Sequence, residues 1–143
     1  MRRVIYLSSA REDFSTADIE QILEVSRRNN SRDGITGLLA YHDKSFFQVV
    51  EGPQEAISAL MMRIQADTRH SSFMTLSDMQ VETRAFPGWQ MALVPKHDLA
   101  RLAEGAGLSL SALSQQPMEL SADRRVNILF KSFLRSFRDM AVR

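Results

Sequence analysis

Four polar side chains, one phenol and three amides, lie in or next to apolar segments, where they would need hydrogen-bond partners inside the protein. They are Tyr6, Asn29, Asn30 and Gln48. Gln48 lies in an apolar run over residues 46–50, where leaving its amide without partners would cost about 1–3 kcal/mol. Phenols and amides both donate and accept hydrogen bonds, so a flat heterocycle with its own donors and acceptors would satisfy the whole set.

Each of these residues also has a purely structural interpretation. Gln48 would bond to a neighbouring backbone group, and Asn29 or Asn30 would cap the end of a helix. Other chemistry has little support. The chain has no Cys, its three His residues lack metal-ligand spacing, and it contains no phosphate loop, dinucleotide fingerprint or nucleophile elbow.

Gln48 is placed by a predicted β-hairpin. Residues 35–41 and 46–50 read as two strands, joined by a polar turn at 42–45. In the second strand, side chains 46, 48 and 50 share one face, while 47 and 49 share the other. Both faces are apolar, which predicts a strand inside a sheet that is covered on both sides.

The remaining elements follow in a regular order. Residues 4–8 form a strand, and Ser15 or Thr16 caps a helix whose apolar stripe ends at the Asn29-Asn30 pair. Pro53 opens a second helix, and strands follow at 73–81 and 89–94. The order βαββαββ predicts an α+β, ferredoxin-like fold with a five-stranded mixed sheet and both helices on one face.

Residues 95–143 are predicted to form a helical extension that packs on the other face of the sheet. Ser121 can cap a final helix. Its apolar stripe comprises Val126, Leu129, Phe130, Phe133, Leu134 and Phe137. The opposite side of this helix is basic, so binding to a membrane or to RNA is an alternative. Docking on the bare sheet face is the simpler use of such a stripe.

Chain length and net charge limit the number of domains and the kinds of partner that we expect. A chain of 143 residues can bury about 68–70% of its unfolded surface around one core. The net charge of +1 gives no reason to expect nucleic acid. The Met1-Arg2-Arg3 start lacks the apolar run of a signal peptide, and no segment is long enough to span a membrane. We therefore expect a cytoplasmic protein with no membrane partner and no second, enzymatic domain.

Five short motifs carry a family resemblance. They are Ile5-Tyr6-Leu7-Ser8-Ser9, Asn29-Asn30 before Gly34-Ile35-Thr36-Gly37, Phe46-Phe47-Gln48 before Glu51-Gly52, Asp67-Thr68-Arg69-His70, and Phe86-Pro87-Gly88-Trp89-Gln90-Met91. In this order and spacing they resemble the BLUF family, the blue-light sensors that use flavin. The resemblance spans residues 3 to 94 and implies a photosensory domain over 1–94. Residues 95–143 match only in kind, because short family members commonly end in two helices behind the sheet.

The resemblance implies a flavin between the two helices, with FAD expected and FMN or riboflavin as alternatives. Asn29 and Asn30 would lie on its pyrimidine edge, Gln48 near N5 and the C4 carbonyl, and Tyr6 behind Gln48. Further residues implied to contact or flank the cofactor are Ile22, Arg69 and His70. Trp89 and Met91 would belong to the strand that senses the change.

The resemblance also implies a sensor rather than an enzyme. Light would drive electron and proton transfer from Tyr6, rearrange Gln48 and strengthen a hydrogen bond at the flavin C4 carbonyl. The resulting red-shifted signalling state would be relayed to a separate protein by a chain that is itself a homo-oligomer.

Two other classes stay open at this point. One is a small ferredoxin-like hydrolase of the acylphosphatase type, although the chain lacks a glycine-rich anion loop beside an Arg after its first strand. The other is a colourless ligand-binding regulatory module. Flavin absorbance that shifts to the red under blue light and recovers in the dark distinguishes the sensor from both.

Overall fold

The computed structural model describes residues 1–42, 44–86, 92–93 and 123–141. The strands are β1 (Arg2–Ala10), β2 (Thr36–His42), β3 (Ser45–Gly52), β4 (His70–Gln80) and β5 (Ala92–Leu93). The helices are α1 (Thr16–Asp33), α2 (Gln54–Ala66) and α3 (Arg124–Ala141). This order confirms the predicted βαββαββ pattern.

The sheet is mixed, with the strand order β4-β1-β3-β2-β5. Strands β2 and β3 form the predicted hairpin, in which His42 pairs with Ser45 across the turn. β3 also pairs antiparallel with β1, whereas β5 runs parallel to β2. The central position of β3 explains why its side chains are apolar in both directions. Phe47 and Val49 are as fully buried on one face as Val50 is on the other.

Helix α1 is longer than its sequence pattern indicated. Ser15 caps it through a reciprocal capping box with Asp18. The prediction that Asn29-Asn30 ends the helix was wrong, because the helix continues to Asp33 and stops at Gly34. Gly34 adopts the left-handed conformation (φ 71°), which a residue without a Cβ reaches without strain. The Asn30 carbonyl accepts from the Ile35 N–H at 2.9 Å.

Strands β1 and β4 are also longer than predicted, because they pair with each other along their whole lengths. Ala10 pairs with His70 and Ser9 with Ser71, so β4 begins at His70 rather than at residue 73, as predicted from the sequence. The register shifts between Leu7 and Ser9. A local irregularity of this kind cannot be read from an alternation pattern.

Helix α2 begins at Gln54, with Pro53 in the N-cap position rather than inside the first turn. Both α1 and α2 bury their apolar stripes in one cluster on the same sheet face, as predicted. The cluster includes Ile19 and Leu23 from α1, Ile57 and Met61 from α2, and Val4, Tyr6 and Val50 from the sheet.

The chain divides into two compact units, Met1–Leu93 and Val94–Arg143. In the second unit, α3 begins after Asp123, whose carboxylate accepts from the Arg125 N–H at 2.9 Å. Val126, Phe130 and Phe133 of its predicted stripe are buried. Ser121, Trp89 and Met91 lie outside the described residues, and packing of the extension on the sheet stays a prediction. None of the helices in the described ranges has the length and apolar character needed to cross a membrane.

Candidate functional site

A pocket of about 190 Å³ lies over the sheet between α1 and α2. The structure brings together at this pocket all seven residues named from sequence as cofactor neighbours: Tyr6, Ile22, Asn29, Asn30, Gln48, Arg69 and His70. Sequence reasoning did not select Ser8, Phe14, Val25, Ser26, Leu39, Phe46, Leu60, Arg63, Ile64 and Asp67, which also line it. Helical spacing from Ile22 to Val25 and Ser26 was the signal that could have found part of this set.

A buried hydrogen bond joins Tyr6 and Gln48 at the floor of the pocket. The two residues are direct cross-strand partners on β1 and β3, and both are buried. The phenol O–H of Tyr6 donates to Oε1 of Gln48. Phe73 stacks on the Tyr6 ring, with centroids 4.3 Å apart. The pair is therefore fixed by sheet register on one side and by aromatic packing on the other.

Burial controls the protonation of Tyr6. Loss of solvation raises the pKa of the Tyr6 phenol far above its ordinary value, and the negative charge of Asp67 raises it further. The phenol is thus a neutral hydrogen-bond donor at neutral pH. The pKa of Tyr41 is also raised, mainly by burial and in addition by its hydrogen bond to Asp13 at 2.7 Å.

We expect both tyrosines of the folded protein to ionise at higher pH than in the unfolded chain, where they titrate near pH 10. The unfolded state therefore binds fewer protons above about pH 10, and the free energy of unfolding falls as pH rises from there towards the folded pKa values. Since the chain contains only two tyrosines, NMR of protein labelled with ¹³C at tyrosine Cζ resolves each one. A Tyr6 signal that titrates near pH 10 in folded protein would contradict its burial.

Asn30 and Asn29 approach the pocket from the last turns of α1. Asn30 is only 2% exposed, whereas Asn29 is half-buried. The backbone carbonyl of Asn30 accepts a hydrogen bond from the Ile35 N–H at the end of the helix, and Asn30 also lines the pocket. Because Gly34 terminates the helix, these two side-chain amides are not required as caps.

His70 is held at the edge of the pocket by contacts at both of its ring nitrogens. Its Nε2 lies 2.6 Å from the Ile64 carbonyl oxygen, and its Nδ1 lies 2.9 Å from Ser8 Oγ. A carbonyl only accepts, so Nε2 carries a proton, and Nδ1 of a neutral ring accepts from the Ser8 hydroxyl. His70 thereby ties β4 to α2 and β1 beside the pocket.

Two arginines bring positive charge to the pocket lining. The Arg69 guanidinium contacts the Asp67 carboxylate, and this hydrogen bond holds the pKa of Asp67 below its usual range. Arg63 on α2 lies 3.7 Å from Asp33 at the end of α1. A second pocket of about 330 Å³ shares Phe14, Ile22, Val25, Ser26 and Arg69 with the first and adds Asp18 and Gln21. The two pockets therefore share a wall along α1.

A buried phenol–amide pair beneath a pocket that two helices enclose matches the arrangement expected from the sequence motifs. The family model described as "BLUF: Sensors of blue-light using FAD" matches residues 1–92. The chain belongs to the BLUF family. A BLUF domain is a flavin-binding blue-light photosensor, and its family makes the domain a sensor.

One curated BLUF relative is the photoactivated adenylate cyclase subunit beta of Euglena longa, which is 32% identical over 96 residues. That match covers 66% of this chain and 11% of the relative. This chain thus spans about a tenth of the length of such curated relatives, and the cyclase activity in their name belongs to those longer proteins.

Two solved BLUF structures show the same fold. The dark-state structure of BlrB, a BLUF protein, is 34% identical with a TM-score of 0.69, and the match covers 89% of this chain and 95% of BlrB. Klebsiella pneumoniae BlrP1 with FMN and cyclic diGMP is 30% identical with a TM-score of 0.71, covering 93% of this chain and 34% of BlrP1.

Proposed function

We propose that this chain senses blue light through FAD bound between α1 and α2, with Tyr6 and Gln48 as the light-driven switch. The observation that supports this proposal is the buried hydrogen bond from the Tyr6 phenol to Gln48 Oε1 at the pocket floor. Both partners can donate and accept, so the pair has two possible hydrogen-bond arrangements. Such a two-state element is what a reversible sensor requires.

The pocket residues suit a flavin. Ile22 and Val25 on α1 and Leu60 and Ile64 on α2 supply apolar walls for a flat ring. The side-chain amides of Asn29, Asn30 and Gln48 would hold the carbonyl and N–H groups of its pyrimidine edge. Arg69, which also lines the second pocket, offers positive charge to a phosphate of the ribityl tail.

The second pocket favours FAD over FMN or riboflavin, because it adds space along α1 for the adenosine monophosphate that only FAD carries beyond the ribityl chain. Asp18 and Gln21 line that space and would give the longer tail hydrogen-bond partners. Chromatography of the cofactor released by denaturing purified protein should give FAD in roughly one-to-one ratio with the chain. Predominant FMN in protein supplied with both forms would refute this assignment.

When bound, the flavin supplies blue-light absorption and, once excited, a strong oxidant. Tyr6 would give an electron to the excited flavin and release its phenolic proton towards Gln48, and burial keeps this phenol protonated in the dark. Gln48 relays the proton, since its amide has both an acceptor and a donor atom. Return of the electron and proton to Tyr6 would leave Gln48 rotated or tautomerised, so that a donor group of its side chain would face the ring.

The output would pass along a row of cross-strand neighbours. Gln48 pairs with Leu39 on β2, and Leu39 pairs in turn with Leu93 on β5. Trp89 and Met91, which precede this paired segment, are proposed to relay the change from there. We propose that residues 95–143 serve assembly and output, and that the receiver is a separate protein that meets a homo-oligomer of this chain, without nucleic acid or a membrane.

Illumination of the purified, dark-adapted protein tests the proposal. The flavin absorption band should move to longer wavelength under blue light and return in the dark through many cycles. Bleaching of the band, which marks net reduction of the flavin, or no change at all would refute the proposed switch.

A further inference from the structure

A second buried polar cluster lies on the sheet face opposite the flavin pocket, and its centre is the Glu51 carboxylate. Glu51 is fully buried and Arg3 is only 2% exposed. Arg3 Nε donates to Glu51 Oε2 at 3.1 Å, and the Thr36 hydroxyl donates to Oε1 at 3.3 Å. Arg3 and Thr36 are the cross-strand partners of Glu51 on β1 and β2.

The same carboxylate holds the backbone that follows β4. The Ala85 N–H donates to Glu51 Oε2 at 3.0 Å, and the Phe86 N–H donates to Oε1 at 2.7 Å. Arg3 adds a hydrogen bond to the Thr83 carbonyl at 3.3 Å. Both carboxylate oxygens are thus shared between the sheet and residues 83–86, the stretch through which the chain passes on its way to β5.

Arg84 strengthens this attachment from the loop side. Its guanidinium donates to Thr36 Oγ1 at 2.9 Å, to the Glu51 carbonyl at 3.2 Å and to the Gly34 carbonyl at 2.7 Å. Residues 83–86 are therefore bound to β2 and β3 through charge-assisted hydrogen bonds, which are about twice as strong as neutral ones.

Stability alone does not account for a buried charge at this point. A buried ion pair gives little net stabilisation, because the cost of removing both charges from water is of the same size as their attraction. What the carboxylate provides is a fixed position for the chain entering β5. Glu51 also lies on the same strand as Gln48, three residues further along and on the opposite face.

We propose that Glu51 is a positioning residue for the light output. It couples displacement of β3 at Gln48 to residues 83–86 and through them to β5. This inference rests on the proposed function of Gln48 as the light-driven switch. It adds a connection from β3 to β5 beside the cross-strand row that passes through Leu39.

Two variants test the proposal. Arg84→Met removes three hydrogen bonds from residues 83–86 but keeps the buried Arg3–Glu51 pair, so we expect it to retain the fold. The double variant Arg3→Met/Glu51→Leu replaces the pair by apolar side chains, a change that buried ion pairs often tolerate. Arg2→Met is the matched control, because Arg2 also makes three hydrogen bonds within the described chain, to Asp78 and Ser58 at the far side of the sheet.

The readouts are the flavin red shift and the amide hydrogen exchange of Ala92 and Leu93, measured by NMR in the dark and under blue light. In the unmutated protein and in Arg2→Met, light should change exchange at both amides. In Arg84→Met and the double variant the red shift should keep its size, while the light-induced change in exchange falls at least about twofold.

A full light-induced change in both Arg84→Met and Arg3→Met/Glu51→Leu would overturn the inference, and so would an equal loss in Arg2→Met. A normal red shift without any light effect on Ala92 and Leu93 in the unmutated protein would overturn it as well. A missing red shift in the unmutated protein would overturn the proposed function and this inference with it, so the two failures are distinguishable.

Discussion

Tyr6→Phe is expected to fold, bind flavin and lose the reversible red shift. The substitution removes one oxygen atom from a buried ring whose packing against Phe73 is otherwise unchanged. It also removes the phenol O–H that donates to Gln48, and with it the proposed source of the electron and proton. Light-minus-dark absorption spectra of the purified variant measure the loss directly.

Gln48→Leu should also abolish the red shift, in this case by removing the amide that accepts from Tyr6. Leucine fills a similar volume but has no hydrogen-bond donor or acceptor. Tyr41→Phe is the matched control for Tyr6. It removes the other phenol of the chain, whose hydroxyl bonds to Asp13 outside the Tyr6–Gln48 pair, and it should leave the red shift intact. A normal photocycle in Tyr6→Phe would refute the proposed electron-donor role.

Asn30→Ala is expected to weaken flavin binding by about 5- to 150-fold, which corresponds to the 1–3 kcal/mol lost when a buried polar group loses its partner. Asn30 is 2% exposed and lines the pocket, so water cannot easily replace its amide. The measurement is the flavin-to-protein absorbance ratio of the purified variant, followed by titration of the stripped protein with FAD.

Asn127→Ala provides the control for Asn30. Asn127 is also a buried helical asparagine, but it is on α3 and does not line the pocket. Its substitution should lower stability without lowering flavin occupancy of the folded fraction. Full flavin occupancy in Asn30→Ala would remove Asn30 from the set of residues that hold the ring.

The parts of the fold that sequence predicted well are those fixed by side-chain period. Alternation over residues 46–50 placed β3 inside the sheet and put Gln48 on the same face as Val50, and the structure confirms the hairpin and the helix order. Helix ends were predicted less well. Asn30 and Gly34 both resemble end signals, and only the backbone conformation shows that Gly34 is the one used.

The role of Glu51 could not be predicted, because a carboxylate before Gly52-Pro53 is typical of a solvated strand end. It accepts from the backbone N–H groups of Ala85 and Phe86, which are more than 30 positions away in the chain. Every residue except proline has such an N–H group, so the residue types do not indicate which ones bind Glu51. His70 shows the same limit. Its motif predicted a position beside the cofactor, while its contacts with Ser8 and the Ile64 carbonyl depend on tertiary packing.

The most direct test of the account is the NMR signal of Tyr6 under illumination. Protein carrying ¹³C at tyrosine Cζ gives one signal each for Tyr6 and Tyr41, and absorption can be recorded on the same sample. The account predicts that blue light shifts the Tyr6 signal together with the flavin band, that both return in the dark, and that the Tyr41 signal does not follow them. A reversible red shift with an unchanged Tyr6 signal would show that the Tyr6–Gln48 hydrogen bond is not the switch.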